Sequence, residues 1–173
     1  MVGEIRDSET ASIAIQASLT GHLVLSTIHT NSAIGAIARL RDMGVESYLL
    51  ASSIKVVLAQ RLVRRLCNHC KKPSIENINL LKKFNLCSES IYYEPSGCQH
   101  CSFTGYSGRL AIAELVEVDE NLKEMIHDEA SEKMMNDYAF QNNKSIQESI
   151  KLNLENGITS ISEILRLQNI SDA

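Results

Sequence analysis

Two Cys-x-x-Cys pairs, Cys67/Cys70 and Cys98/Cys101, are the residues whose type and spacing point most directly to chemistry. A two-residue gap lets both sulfurs of a pair reach one ion while the N–H groups of the turn point at them. Four thiolates then close the tetrahedral cage that Zn²⁺ prefers. The segment between the pairs, residues 71–97, is longer than the commonest ribbon spacing, so the pattern reads as a zinc ribbon with an enlarged loop. Five cysteines are an odd number, and a fully paired disulfide framework fails on that arithmetic. The thiols suit a reducing, cytoplasmic setting. Cys87 belongs to neither pair and reads as a lone thiol, while His69 and His100 lie inside the knuckles.

A second constellation is spread over the first thirty residues. Met1–Ile5 reads as the end of an apolar strand running into Arg6 and Asp7, and His22–Ile28 reads as a strand buried on both faces. Ligands of parallel sheets sit beyond the carboxyl ends of the strands, which places Glu4, Arg6, Asp7 and His29 on one edge. A carboxylate there can orient a water or a Mg²⁺-bound ligand, and an imidazole can contact a phosphate oxygen. On spacing alone, an ordinary Glu4–Arg6 ion pair with His29 opening a loop carries more weight. His22 lies at the far end of its strand, where a structural histidine near a helix terminus is the weightier reading.

These residues need elements to hold them. Asp7 or Ser8 caps a helix whose face carries Ile13, Ala14 and Ala17, and Gly21 terminates it. Thr30 or Asn31 caps a second helix with Ile34, Ile37, Leu40 and Met43 inward. A helical pattern runs from Ser47 to Leu58. Gln60–Leu66 then turns extended and pairs with Arg109–Val118 as an antiparallel hairpin. After Asp119 the chain is helical, with Ser145 and Glu148 forming a capping box and Thr159 or Ser160 starting the last helix. The alternation is α/β with a parallel sheet. Its parts are residues 1–66 as sheet-and-helix core, 67–108 as a zinc-binding insertion, and 109–173 as a returning strand and helical region. Parallel strands need cover on both faces and edges, so the expectation is the C-terminal piece of a longer protein.

The composition is ordinary: 173 residues, 44% hydrophobic, 22% charged, net charge −4. The acidic balance argues against broad nucleic-acid binding. No apolar run approaches the ~20 residues of a membrane span, and no charged-then-apolar leader follows Met1. Lys71, Lys72, Lys82 and Lys83 flank the metal loop and read as a solvated face rather than a nucleic-acid site. Arg61, Arg64 and Arg65 read equally as facing a nucleotide or neighbour and as a solvated strand face.

The stretch MVGEIRDSETASIAIQASLTGHLVLSTIHTNSA resembles the span from Walker B through the histidine box of the secretion ATPases, the GspE/PulE family of type II secretion and type IV pilus assembly. The resemblance continues through DMGVESYLLASS, LAQRLVRRLC, both cysteine knuckles, TGYSGRLAIAEL and TSISEILRL. The knuckles set it apart from the retraction-type motors.

The resemblance implies a RecA-like P-loop ATPase core, truncated at the Walker B strand, with an inserted tetracysteine zinc module and a C-terminal helical bundle. It makes Glu4 the catalytic carboxylate that polarises the attacking water, His29 the γ-phosphate contact, and His22 and Arg6 secondary nucleotide-binding positions. Cys67, Cys70, Cys98 and Cys101 match the metal ligands. ATP and Mg²⁺ would act in the full-length protein, a homo-hexamer. That hexamer would be cytoplasmic and peripheral at the inner membrane, meeting the membrane platform and the cytoplasmic domains of secretion proteins. The glycine-rich loop ending in Gly-Lys-Ser/Thr does not occur in this chain, so tight ATP binding by it alone is not expected. Ala111 stands where the GRxGIxEL motif has glycine. Two other readings stand beside the type II ATPase: a type IV pilus assembly ATPase, and a non-enzymatic zinc-containing module from a truncated or split gene.

Overall fold

The computed structural model describes residues 1–74, 78–84, 86–87, 90–141 and 143–171, with no account of the side chains of residues 78, 79, 83 and 168–171. The elements in chain order are α1 (Ser8–Leu19), α2 (Ala33–Asp42), α3 (Ser47–Ser53), β1 (Val56–Leu66), β2 (Lys72–Ser74), α4 (Ile78–Lys83), β3 (Tyr92–Glu94), β4 (Tyr106–Glu117), α5 (Glu120–His127), α6 (Glu132–Ala139), α7 (Ile146–Glu155) and α8 (Ile161–Ser171). They form two compact units, residues 1–59 with 114–143 and residues 60–113 with 144–173. Each unit joins two stretches, whereas the three parts read from the sequence follow chain order.

In the first unit, Asp7 accepts from Thr10 N at 2.8 Å and caps α1 as expected. The buried stripe of α1 is Ala11, Ala14 and Ile15, and Ile13 is 59% exposed, against the expectation that it points inward. The cap of α2 is Ser32, whose Oγ accepts from Gly35 N at 3.0 Å, rather than Thr30 or Asn31. Past α2, Gly44 takes φ +87° so that Val45 N can reach back to Leu40 O, a helix ending that favours glycine. Ile34, Ile37, Leu50, Val116, Leu122, Ile126 and Met135 form the core with these helices. Asp119 caps α5, and the hydroxyl of Tyr138 donates to its Oδ2 at 2.6 Å, tying α6 to the start of α5.

Two sequence expectations about strands change. Met1–Ile5 and His22–Ile28 are extended and run side by side in the same direction, but they do not make a regular ladder. Val2 N bonds Leu25 O and Ile5 N bonds Thr27 O, both at 2.9 Å. Three residues advance on one side against two on the other, which breaks the even repeat of a parallel pair. Leu23 and Leu25 are 85% and 59% exposed, so the second segment is not buried on both faces. The helix expected through Leu58 ends at Ser53. There the β-branched pair Val56–Val57 takes up extended pairing, begun where Val118 N donates to Lys55 O at 2.8 Å. At the other end of β1, Cys67 N donates to Gly105 O at 3.0 Å, so β1 and β4 run antiparallel as expected.

The second unit gives the metal segment more support than an ion. The β2–β3 ribbon pairs Lys72 with Glu94 and Ser74 with Tyr92. Leu81, Phe84, Leu86 and Tyr92 share a core with Val63, Ile112, Ile150, Leu154, Ile161 and Ile164. An apolar core shared with α7 and α8 therefore supports this segment beside any bound ion. The Ser145–Glu148 capping box is present, and Ser160 caps α8 through Glu163 N at 3.2 Å.

Glu163 clamps α8 to the end of β1. Its buried carboxylate accepts from Arg64 N at 3.1 Å, Arg64 Nε at 2.8 Å and Arg166 Nε at 2.9 Å. Arg64 also lies 4.0 Å over the Tyr106 ring, whose hydroxyl meets Ser160 Oγ at 2.8 Å. Of the two readings of the basic run, neither describes Arg64, which is spent on this clamp.

Burial pushes the Glu163 carboxyl up, but the donors from Arg166 and Arg64 outweigh it and bring it down to about 2. A carboxyl depressed in the folded state stabilises above its unfolded value and loses that contribution as pH falls from about 4.5 toward 2. Glu163→Gln is expected to cost on the order of 3 kcal/mol at pH 7 and much less near pH 2. Urea unfolding at both pH values checks this; an equal loss at both would rule out the charged clamp.

Candidate metal centre and hydrolytic edge

The first knuckle closes just after β1. Cys70 N and Lys71 N both return to Cys67 O, at 3.3 and 3.0 Å. In the second, Cys101 N and Phe103 N return to Cys98 O, and Ser102 and Phe103 turn the chain at φ +50° and +61°. The result brings together all four predicted cysteines, with every Sγ within 4.8 Å of the others. Cys67 Sγ is 3.9 Å from Cys98 Sγ, and Cys101 Sγ is 3.8 Å from both Cys70 Sγ and Cys98 Sγ. Sulfurs about 2.3 Å from one tetrahedral ion stand about 3.8 Å apart, whereas a disulfide needs about 2.0 Å. The donor set therefore fits a tetrahedral thiolate-bound metal.

Backbone amides tune these thiols. Gly97 N donates to Cys70 Sγ at 3.3 Å, and Cys98 N and Gly105 N both donate to Cys101 Sγ at 3.2 Å. Burial opposes the thiolate at Cys101, yet those amides prevail and lower it to about 6. At Cys70 burial prevails and pushes the thiol up to about 11. A metal ion binding these sulfurs competes with protons for them, so its binding releases protons. His69 and His100 are exposed and stack on each other at 4.0 Å outside the sulfur cluster, and Cys87 is exposed as a free thiol. Lys71 Nζ donates to Gly157 O at 2.8 Å and lies over the Tyr93 ring. The side chain of Lys83 lies outside the described residues.

Glu4, Arg6 and His29 also come together, in the first unit. Arg6 Nη2 is 2.6 Å from Glu4 Oε2, and His29 Nε2 is 2.7 Å from Glu4 Oε1. The expected Glu4–Arg6 ion pair is present, and the imidazole of His29 faces the same carboxylate. The His29 contact is close enough for charge pairing but is not aligned as a hydrogen bond. Glu4 Oε1, sealed from solvent, receives no hydrogen bond from any described residue. The hydrogen bond and charge of Arg6 hold the Glu4 carboxyl below its ordinary value against the opposing effect of burial. Asp7 is spent on its helix cap. His22 is exposed, with Nδ1 3.2 Å from Thr20 Oγ1, and is not part of this cluster.

A pocket of about 260 Å³ opens over the cluster, lined by Glu4, Ile5, Arg6, Ile28, His29, Arg39 and Met43. Sequence reasoning missed Arg39. Its signal was the helical period, since Arg39 and Met43 stand one turn apart after the His29 loop. The pocket sets three cationic or potentially cationic side chains around one carboxylate, which suits an anion held beside an oriented water.

Gly105 tests the cage independently of the ion. It sits at φ +78°, and a Cβ there would come within 2.4 Å of Pro95 Cβ. Gly105→Ala is expected to cost about 2–4 kcal/mol and to expose the cysteines to a thiol reagent under native conditions. Unchanged thermal unfolding and thiol protection would show the loop to be tolerant.

The comparisons with known proteins concern the family and the fold. A family model described as "Type II/IV secretion system protein" matches residues 1–166. The type II secretion system ATPase E of Vibrio cholerae serotype O1 is 50% identical over 169 residues, covering 96% of this chain and 34% of that protein. The chain thus spans about a third of the length of the curated relatives it matches. Among solved structures, the X-ray structure of the Legionella pneumophila ATPase DotB superimposes with a TM-score of 0.64 at 21% identity, over 100% of this chain and 38% of that one. The crystal structure of the pilus retraction motor PilT with bound ADP gives 0.63 at 20% identity, over 95% and 38%. At those identities the likeness concerns the fold, and it supports the α/β secretion-ATPase architecture read from the sequence. On its family match over nearly the whole length, the chain belongs to the type II/IV secretion system protein family.

Proposed function

We propose that this chain carries the water-orienting side of an ATP-hydrolysing centre in a type II secretion ATPase, beside a structural zinc site. The observation that carries the reading is Glu4 Oε1, sealed from water and lacking a donor, 2.7 Å from His29 at the mouth of a cation-lined pocket. A buried acceptor without a donor is costly unless a donor completes it; when His29 turns to a phosphate oxygen, Oε1 opens to a water that donates there and is poised for attack. Glu4 accepts that hydrogen bond and aligns the water. Arg6 keeps Glu4 ionised, while His29 and Arg39 bind terminal phosphate oxygens. ATP with Mg²⁺ supplies the phosphoryl group and the charge that shields it. His22 is assigned to the nucleotide neighbourhood by family resemblance only.

The cysteine cage is assigned to Zn²⁺ because four thiolates at these separations suit its tetrahedral preference. A homo-hexamer at the cytoplasmic face of the inner membrane, acting on a membrane platform, is the working assembly. No helix of the described residues is long and apolar enough to cross a membrane. Type II secretion is preferred to type IV pilus assembly on the names of the 45–53% identical relatives.

Two measurements test these assignments. Purified anaerobically, the chain is expected to hold about one zinc. Chelation should lower the melting temperature of the second unit while leaving the first unit's unfolding in place, and Cys67→Ser or Cys98→Ser should abolish retention. A zinc-free chain with the same stability would refute the zinc site. Alone, the chain is expected to bind ATP no tighter than millimolar. Joined to the phosphate-binding segment of a curated relative, it should hydrolyse ATP, and Glu4→Gln should lower kcat by about 10²–10⁴ with little change in nucleotide affinity. An unaltered kcat would overturn the role of Glu4.

A further inference from the structure

Glu114 is an acid buried inside the first unit, only 4% exposed, and the reading above leaves it without a task. It lies on β4, yet its Oε1 accepts a hydrogen bond from Ala33 N at 2.7 Å. Ala33 is the first residue of α2. Its amide is one of those a helix start leaves without an intrahelical partner, and the partial positive charge of that terminus favours an anion. Ser32 takes a second such amide, from Gly35. The start of α2 is therefore held twice, once from within the loop and once from a strand far away in sequence.

That anchor lies next to the pocket in the chain. Only Thr30, Asn31 and Ser32 separate Ala33 from His29, and Thr30 Oγ1 tightens the turn by donating to Ser32 O at 3.1 Å. Four residue steps reach at most about 14 Å even when straight, so fixing Ala33 confines His29. The same helix carries Arg39, and the Met43 that caps its C-terminus, into the pocket wall.

We propose that Glu114 is a positioning residue: by binding the Ala33 amide it fixes the turn that presents His29 to Glu4 and the helix that presents Arg39. The carboxylate touches no reacting atom. It acts through the first turn of α2, and its length matters, because a shorter acid cannot span from β4 to that amide. The consequence for hydrolysis rests on the reading of Glu4 and His29 given above, whereas the geometric claim can be tested on this chain alone.

Imidazole and amide NMR on the zinc-loaded chain reads the geometry directly. In Glu114→Ala, and equally in Glu114→Asp, hydrogen exchange at the Ala33 amide is expected to speed up at least about tenfold. The imidazole shifts of His29 should move toward those of a free histidine, while His22 and the second unit stay unchanged. Glu114→Gln keeps a carbonyl acceptor of the same reach and should restore most of the His29 signature. Should Glu114→Ala fail to fold, Glu114→Asp against Glu114→Gln decides the matter. An unmoved His29 in Glu114→Asp, with the Ala33 amide freed, would overturn the proposal. If His29 moves as expected but Glu4→Gln leaves kcat unaltered in the joined protein, the hydrolytic reading falls and the positioning role stands.

Discussion

A carboxylate removed from water has to be answered by donors, and that demand organises this molecule. Desolvating an ionised group costs several kcal/mol, recovered only through well-aligned hydrogen bonds and opposite charge. Glu163 meets the demand in full, with two guanidiniums and a backbone amide converging on it. Glu114 meets it with the amide and dipole of a helix start. Glu4 meets it on one oxygen only, through Arg6, and leaves the other sealed and without a donor. Completed acids hold elements in place, and the ligand site proposed above lies at the incomplete one.

The thiol cage obeys the same rule with softer atoms. Amides of Gly97, Cys98 and Gly105 point at sulfur rather than at carbonyl oxygen, because the knuckle turns have no ladder to satisfy them. The glycines at 97 and 105 follow from the crowding this requires: a side chain at either would meet the backbone of Phe103 or the ring of Pro95. The apolar core shared with α7 and α8 supports the rest of the segment.

What was legible in the sequence was local chemistry. The caps at Asp7, Asp119, Ser145 and Ser160 could be read because a side chain bonding an amide three residues on needs only short-range geometry. The cysteine pairs could be read because metal ligation constrains spacing. Partners distant in sequence were not legible. Arg64 could not be assigned from its own neighbourhood, since its carboxylate lies on α8. Glu114 falls in register with Ile112 and Val116 on the inward face of β4, but its partner Ala33 could not be read from the strand. The end of α3 was misjudged because Leu58 fits a helical stripe as well as a strand, and only pairing with β4 decides between them. Burial of Leu23 and Leu25 was inferred from an apolar run, but a run cannot say what covers it.

The lowered pKa of Glu4 carries one last consequence for its proposed role. A carboxyl held ionised by Arg6 is a weak base, poorly suited to removing a proton from water before attack. Phosphoryl transfer through a loose transition state asks little of a base, since bond formation to the incoming oxygen lags behind departure of the leaving group. What the reaction asks for is a water held in line, with charge stabilised around the transferred group. An ionised acceptor whose protonation Arg6 defers to lower pH, bordered by His29 and Arg39, meets that requirement for as long as Glu4 stays ionised. Orientation, rather than basicity, is therefore the contribution proposed for this edge of the fold.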